Sequence, residues 1–168
     1  DFAPFRIFRR PRQIKLAALL AAGVLVFLLG GYLLLSPWLD LSAIPANLAA
    51  KEGITRETFP LAALYITFCN SLLEEFFFRG FAFLALYRLG YTRLAYGFSA
   101  LAFALYHVSI TSNWGTPGLI VLMVAGLTAA GLFFNWLDRD GSVLPSWLVH
   151  VGANLGTNAV GFILFGIL

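Results

Sequence analysis

Five ionisable side chains stand where an apolar environment would ordinarily exclude them. Glu74, Glu75 and Arg79 lie in the run LLEEFFFRGF, His107 in FALYHV, and His150 in SWLVHVGAN, which ends on the polar Asn154. A carboxylate in such a place can take a proton from water, an imidazole can assist it, and an asparagine amide can donate to a developing oxyanion. Two glutamates and two histidines are also a donor set from which zinc draws ligands, with Glu74, His107 and His150 as the three. The same residues could form a buried network that only holds helices together, and the residue types weigh the two readings about equally.

Spacing sorts the roles further. Glu75 and Arg79 are four apart with the acid first, the favourable order for a helical ion pair, and Glu74 is turned by about 100° from Glu75. One carboxylate is therefore expected to be neutralised by Arg79 while the other faces a different neighbour. His150 and Asn154 share a helix face, as do Phe103 and His107. No HExxH occurs, which excludes the familiar zincin arrangement, and no serine has a histidine at a defensible triad position, so Ser99 and Thr67 read as backbone-bonded hydroxyls.

The elements that must position these groups are membrane helices. Of 168 residues 60% are hydrophobic and only 11% charged, against about a quarter charged in soluble domains. The mean hydropathy is +0.85. The expected fold is all-α, a polytopic transmembrane bundle of five to six spans in a single membrane domain covering 1–168. A basic juxtamembrane tail (1–13) carries Arg6, Arg9, Arg10 and Arg12 and alternates with Phe2, Phe5 and Phe8; it reads as an orienting and lipid-contacting segment, not as a nucleic-acid site. The first span is 14–35, too long for a secretory signal. A polar loop at 36–58 carries a short interfacial helix near 46–52. A long helix opens at Pro60 and runs to Arg88, a third span covers 93–110, a turn at 111–117 presents Trp114 to the interface, and a fourth span covers 118–137. The charged turn 138–141 then leads into an apolar stretch from 142 to 168, either one tilted helix or one broken near Gly156 to Gly161. Asp1 in place of methionine raises the expectation of an upstream segment, and the lone Cys69 allows no intrachain disulfide.

Basic loops place the N-terminus in the cytoplasm, 36–58 outside and 138–141 inside. Counted back from the inner boundaries at about 1.5 Å per residue, Glu74, Glu75, His107 and Asn154 all lie roughly 20 Å deep, with His150 and Arg79 at roughly 14 Å. Three helices thus bring polar groups to one layer. Of the 11 basic and 8 acidic residues, all but Glu74, Glu75 and Arg79 fall in loops, tails or span ends. At the helix centre such a charge costs roughly 2.5 to 3.5 kcal/mol, so the three require partners or a wet cavity. Gly152 and Gly156 fit a close contact between helices.

Glu74-Glu75-Phe76-Phe77-Phe78-Arg79-Gly80 matches EExxxR, Phe103 to His107 matches FxxxH, and His150 to Asn154 matches HxxxN, each on its own span and in that order. These resemble the three motifs of the CPBP family, the CAAX-processing and bacteriocin-processing intramembrane proteases also called Abi. The resemblance covers 59–158 as a core. It implies an intramembrane endopeptidase acting on a membrane-anchored or prenylated peptide or protein. Carried onto this chain, it makes Glu74 the general base on water, His107 its assistant, His150 and Asn154 the oxyanion donors, Glu75 and Arg79 a supporting ion pair, and Phe103 a packing or positioning residue. No cofactor is expected, zinc being the alternative. Two other classes compete: a non-catalytic membrane protein of bacteriocin-immunity or scaffold type, and a proton-coupled transporter, against which the lack of internal repeats speaks.

Overall fold

The computed structural model describes residues 11–111 and 117–168, and among them the backbone folds into helices without strands. The readings made for Arg6, Arg9, Arg10 and Trp114 lie outside the described residues. Six helices follow one another: α1 Pro11–Leu35, α2 Ile44–Glu52, α3 Phe59–Arg88, α4 Thr92–Thr111, α5 Pro117–Asp138 and α6 Leu144–Leu164. Among the described residues, α1, α3, α5 and α6 are long and apolar enough to cross a membrane. The 20 residues of α4 reach about 30 Å at 1.5 Å each, the thickness of a hydrocarbon core. Four candidate spans, with α4 long enough to join them, are roughly compatible with the five to six expected.

Local chemistry accounts for the boundaries. Pro60 and Pro145 occupy the first turns of α3 and α6, where the missing N–H has no intrahelical partner to lose. The connections α3–α4 and α5–α6 turn on Gly90 (φ 88°) and Gly141 (φ 97°), left-handed conformations that a Cβ would disfavour. The short helix expected near 46–52 is α2, closed by its own glycine. The last stretch is one unbroken helix to Leu164, so the alternative of a break near Gly156 to Gly161 does not hold. Those glycines serve close packing instead: a Cβ on Gly156 would stand 3.1 Å from the Leu25 carbonyl oxygen, one on Gly152 would collide with the Ala21 backbone, and one on Gly161 with the Phe59 ring.

The interior is the reverse of a soluble core. Val26, Phe27, Leu34, Val121 and Leu122 stand exposed on the outside of the bundle, as lipid-facing residues do. Glu75, Arg79, Ser99, Asn135, Asp138 and Ser146 are fully buried inside it. In hydrocarbon such groups need partners, and Ser99, Asn135, Asp138 and Ser146 find theirs across helices. Ser99 donates to the Phe78 carbonyl (2.7 Å) and to Asn135 (3.1 Å), while Asn135 donates to the Tyr96 carbonyl, tying α3, α4 and α5 together. Asp138, at the start of the charged turn expected at 138–141, is buried at the end of α5, where it accepts the backbone N–H (3.1 Å) and hydroxyl (2.5 Å) of Ser146 at the start of α6. The turn 138–141 is short enough to fold the acid back over the helix that follows.

Candidate active site

α3 is not a uniform α-helix. Two π-helical segments, Tyr65–Asn70 and Phe76–Phe83, flank the single α turn Ser71–Glu75 that carries both glutamates. Their signature is the fifth-residue hydrogen bond: Ser71 N–H reaches the Ile66 carbonyl, and Leu84 N–H the Arg79 carbonyl. The wider turns offer carbonyls toward α6, and α6 answers with a stripe of donors. Trp147 donates to the Ser71 hydroxyl (3.1 Å) and the Phe68 carbonyl (3.3 Å), Asn154 to the Ile66 carbonyl (3.1 Å), and Asn158 to Thr67 (2.9 Å) and the Ala63 carbonyl (3.2 Å). This stripe fixes the register in which His150 meets the glutamates. Ser99 and Thr67 are engaged in such networks, though Thr67 accepts from the Asn158 side chain.

The two glutamates part company as their angular offset requires. Glu75 is fully buried; one oxygen lies 3.2 Å from the Arg79 Nε and the other 2.7 Å from the His150 Nδ1. The Arg79 guanidinium is held between two rings, 4.1 Å from the centroid of Phe103 and 4.9 Å from that of Phe134. Desolvated cation–π contact of this kind supports a cation whose terminal nitrogens Nη1 and Nη2 find no hydrogen-bond acceptor among the described residues. Phe103 thus packs on the ion pair, and its backbone carbonyl lies 2.8 Å from the His107 Nδ1. It touches both halves of the site.

Glu74 faces the other way. Its Oε1 accepts from the Asn70 side-chain amide at 2.5 Å. Its Oε2 has no hydrogen-bond partner among the described residues and looks at both imidazoles, 3.7 Å from the His107 Nε2 and 3.8 Å from the His150 Nε2. Those separations exceed a direct hydrogen bond and suit a small bridging species. The ring nitrogens are constrained as well. A carbonyl only accepts, so the His107 Nδ1 bears its proton; the Glu75 carboxylate does the same for the His150 Nδ1. In the neutral rings both Nε2 atoms are then acceptors aimed at a third acceptor, Glu74 Oε2. A water that donates to two of them and accepts from a proton carried by the third satisfies all three.

The structure therefore brings Glu74, Glu75, Arg79, Phe103, His107 and His150 into one connected cluster of α3, α4 and α6, with Phe134 of α5 behind it. Asn154 stands one turn beyond His150, and its amide is tied to α3 by one N–H, leaving the second for another acceptor. His150 is held by Glu75, and Asn154 by the Ile66 carbonyl. Among the described residues no group of three or more His, Cys, Asp and Glu side chains is arranged to hold a metal ion. The chemistry of two acceptor nitrogens and one carboxylate oxygen is nonetheless that of a divalent-cation donor set.

Asn70, Phe134 and Trp147 did not stand out in the sequence. Asn70 is a polar residue inside a span, four before Glu74, and that spacing was signal enough to find it. Phe134 is one of 17 phenylalanines, and nothing local distinguishes it.

Comparison with known protein families finds a match to a family model described as type II CAAX prenyl endopeptidase Rce1-like, over residues 56–156. That interval contains every residue of the cluster and excludes α1 and α2. Comparisons with curated proteins and with solved structures gave no match. The matched interval is more than half of the chain, and the buried glutamate pair with its arginine and two histidines lies wholly within it; the chain belongs to the Rce1-like family of type II CAAX prenyl endopeptidases.

Proposed function

We propose that the protein is an intramembrane endopeptidase that hydrolyses a peptide bond of a prenylated, CAAX-type or otherwise membrane-anchored substrate, with Glu74 activating the water. The observation that carries the reading is the meeting of Glu74 Oε2 with two imidazole Nε2 atoms, 3.7 and 3.8 Å away, inside a bundle of lipid-facing helices. A water held there loses a proton to Glu74 as its oxygen adds to the scissile carbonyl. His107, fixed by the Phe103 carbonyl, steadies the water and shares the proton. His150, with Glu75 as its counter-ion, can carry a second proton on Nε2 and donate it toward the tetrahedral oxyanion, joined by the free N–H of Asn154. Collapse of that intermediate breaks the C–N bond, and the proton held by Glu74 passes to the leaving amine. Arg79 holds the Glu75 carboxylate in place and so keeps the His150 ring oriented. We propose that no metal takes part.

The membrane-facing exterior and the family membership support a substrate that reaches the site from the bilayer. The test is turnover of a fluorogenic farnesylated CAAX peptide in detergent, together with a panel of membrane-anchored peptides. Glu74→Gln, isosteric but unable to take the proton, is expected to abolish cleavage and leave thermal unfolding unchanged. Full turnover in that variant refutes the general-base role. A wild-type protein inert toward the whole panel, yet folded, supports the immunity or scaffold reading instead.

A further inference from the structure

A glutamate that serves as a base has a geometric difficulty. Its carboxylate ends a side chain with three torsions, either oxygen can swing away from the water, and the cluster supplies a cation to Glu75 but none in contact with Glu74. Asn70 resolves this. It is the last residue of the π segment Tyr65–Asn70, half-buried, and it donates its amide N–H to Glu74 Oε1 at 2.5 Å. Oε1 is thereby taken, and Oε2 is left bare, facing the His107 and His150 Nε2 atoms. The donor is neutral. The amide fixes the carboxylate's torsion through a single charge-assisted hydrogen bond, whereas Arg79 holds Glu75 in an ion pair. The structure thus offers a physical reason why two adjacent glutamates differ: one is clamped by a cation, the other aimed by an amide.

We infer that Asn70 is a positioning residue for the reaction, holding Glu74 so that Oε2 alone faces the water. The inference rests on the reading of Glu74 as the base. Asn70 acts through Glu74, so its effect should fall on kcat and leave KM unchanged. Misplacement of a catalytic group and loss of a hydrogen bond to a charged acceptor each support a fall in kcat of about ten- to a hundredfold for Asn70→Ala. Asn70→Gln, which keeps the amide on a longer arm, is expected to recover much of it.

The experiment measures kcat and KM on the fluorogenic farnesylated CAAX peptide for the wild type, Asn70→Ala, Asn70→Gln, Glu74→Gln and the double variant Asn70→Ala with Glu74→Gln. With Glu74 already replaced, removal of Asn70 should change the residual rate no further. An effect of Asn70→Ala that persists undiminished in the double variant, or one that glutamine does not relieve, marks a merely structural residue and overturns the inference. Unchanged kcat in Asn70→Ala beside an inactive Glu74→Gln overturns this inference alone, whereas full activity of Glu74→Gln removes the base reading and the inference with it. A second measurement needs no turnover. Lipophilic dicyclohexylcarbodiimide attaches to buried carboxyls, and peptide mass spectrometry reads the site. Freed of its amide cover, Glu74 should label several-fold faster in Asn70→Ala than in the wild type or Asn70→Gln; equal rates in all three overturn the contact.

Discussion

Removing the Arg79 guanidinium is the most telling single perturbation of the core. Both members of the Glu75–Arg79 pair are fully buried, 3.2 Å apart. In Arg79→Ala, Glu75 loses its cationic partner and keeps neighbours such as the His150 ring, and breaking a buried pair from one side typically costs about 3 to 5 kcal/mol. Loss of two desolvated ring contacts, to Phe103 and Phe134, adds on the order of 2 kcal/mol, partly overlapping with the first figure since the same guanidinium makes both. A loss near the upper end, about 5 kcal/mol, is therefore expected. Replacing both partners, Glu75→Gln with Arg79→Met, removes the stranded charge, refills the space between the rings and leaves an amide oxygen to accept from the His150 Nδ1. That variant should regain most of the stability, remaining about 2 kcal/mol below the wild type for the lost ring contacts. Thermal unfolding in detergent, followed by circular dichroism and intrinsic fluorescence, ranks the three proteins. An Arg79→Ala protein that melts with the wild type, or a double variant that melts no higher than Arg79→Ala, refutes the argument that an isolated Glu75 charge is what destabilises.

Three further outcomes are expected. Gly152→Ala places a methyl against the Ala21 backbone, so α1 must move off α6; a loss of about 1 to 3 kcal/mol is expected in the same unfolding assay, and an unchanged melting temperature contradicts the close contact. Metal analysis of active, purified protein should find no stoichiometric zinc, and chelation should leave turnover intact; zinc lost together with activity and restored with it would identify Glu74, His107 and His150 as its ligands. A cysteine introduced at Arg139 should react with impermeant thiol reagents from the cytoplasmic side only, as the positive-inside pattern requires, and labelling from the opposite side alone reverses the proposed orientation.

The helices were legible because hydropathy and turn residues act locally. Pro60, Gly90, Gly141 and Pro145 mark chain reversals that any bilayer-spanning arrangement of these segments needs, and the structure turns near each of them. The Glu75–Arg79 pair was equally legible, since four-residue spacing puts both on one face whatever lies around them. What could not be read was the partner of each side chain across helices. His150 pairs with Glu75 and Asn154 with a backbone carbonyl because α6 meets α3 at a register set by Trp147, Asn158 and the π turns, and nothing in a single segment's composition encodes that register. The burial of Asp138 escaped for the same reason: DRDG reads as a solvated turn until Ser146 is known to fold against it. The π segments themselves carry no local mark, because a shift from fourth- to fifth-residue bonding is decided by what packs alongside.

Those two wide segments of α3 each hold one residue more than an α-helix of the same length. The bulge absorbs the rotation of about 100° that an extra residue would otherwise impose, so the turns on either side keep the angular relation of a plain α-helix. Deleting one residue next to Ile66 would let that stretch relax to ordinary α geometry with Ala63 still facing Asn158 and Glu74 still facing the histidines. What would be lost is the wide turn in which the Ile66 oxygen accepts from Asn154. Homologous chains with a one-residue gap here are accordingly expected to keep the motif glutamates in place and to hold that asparagine by another acceptor.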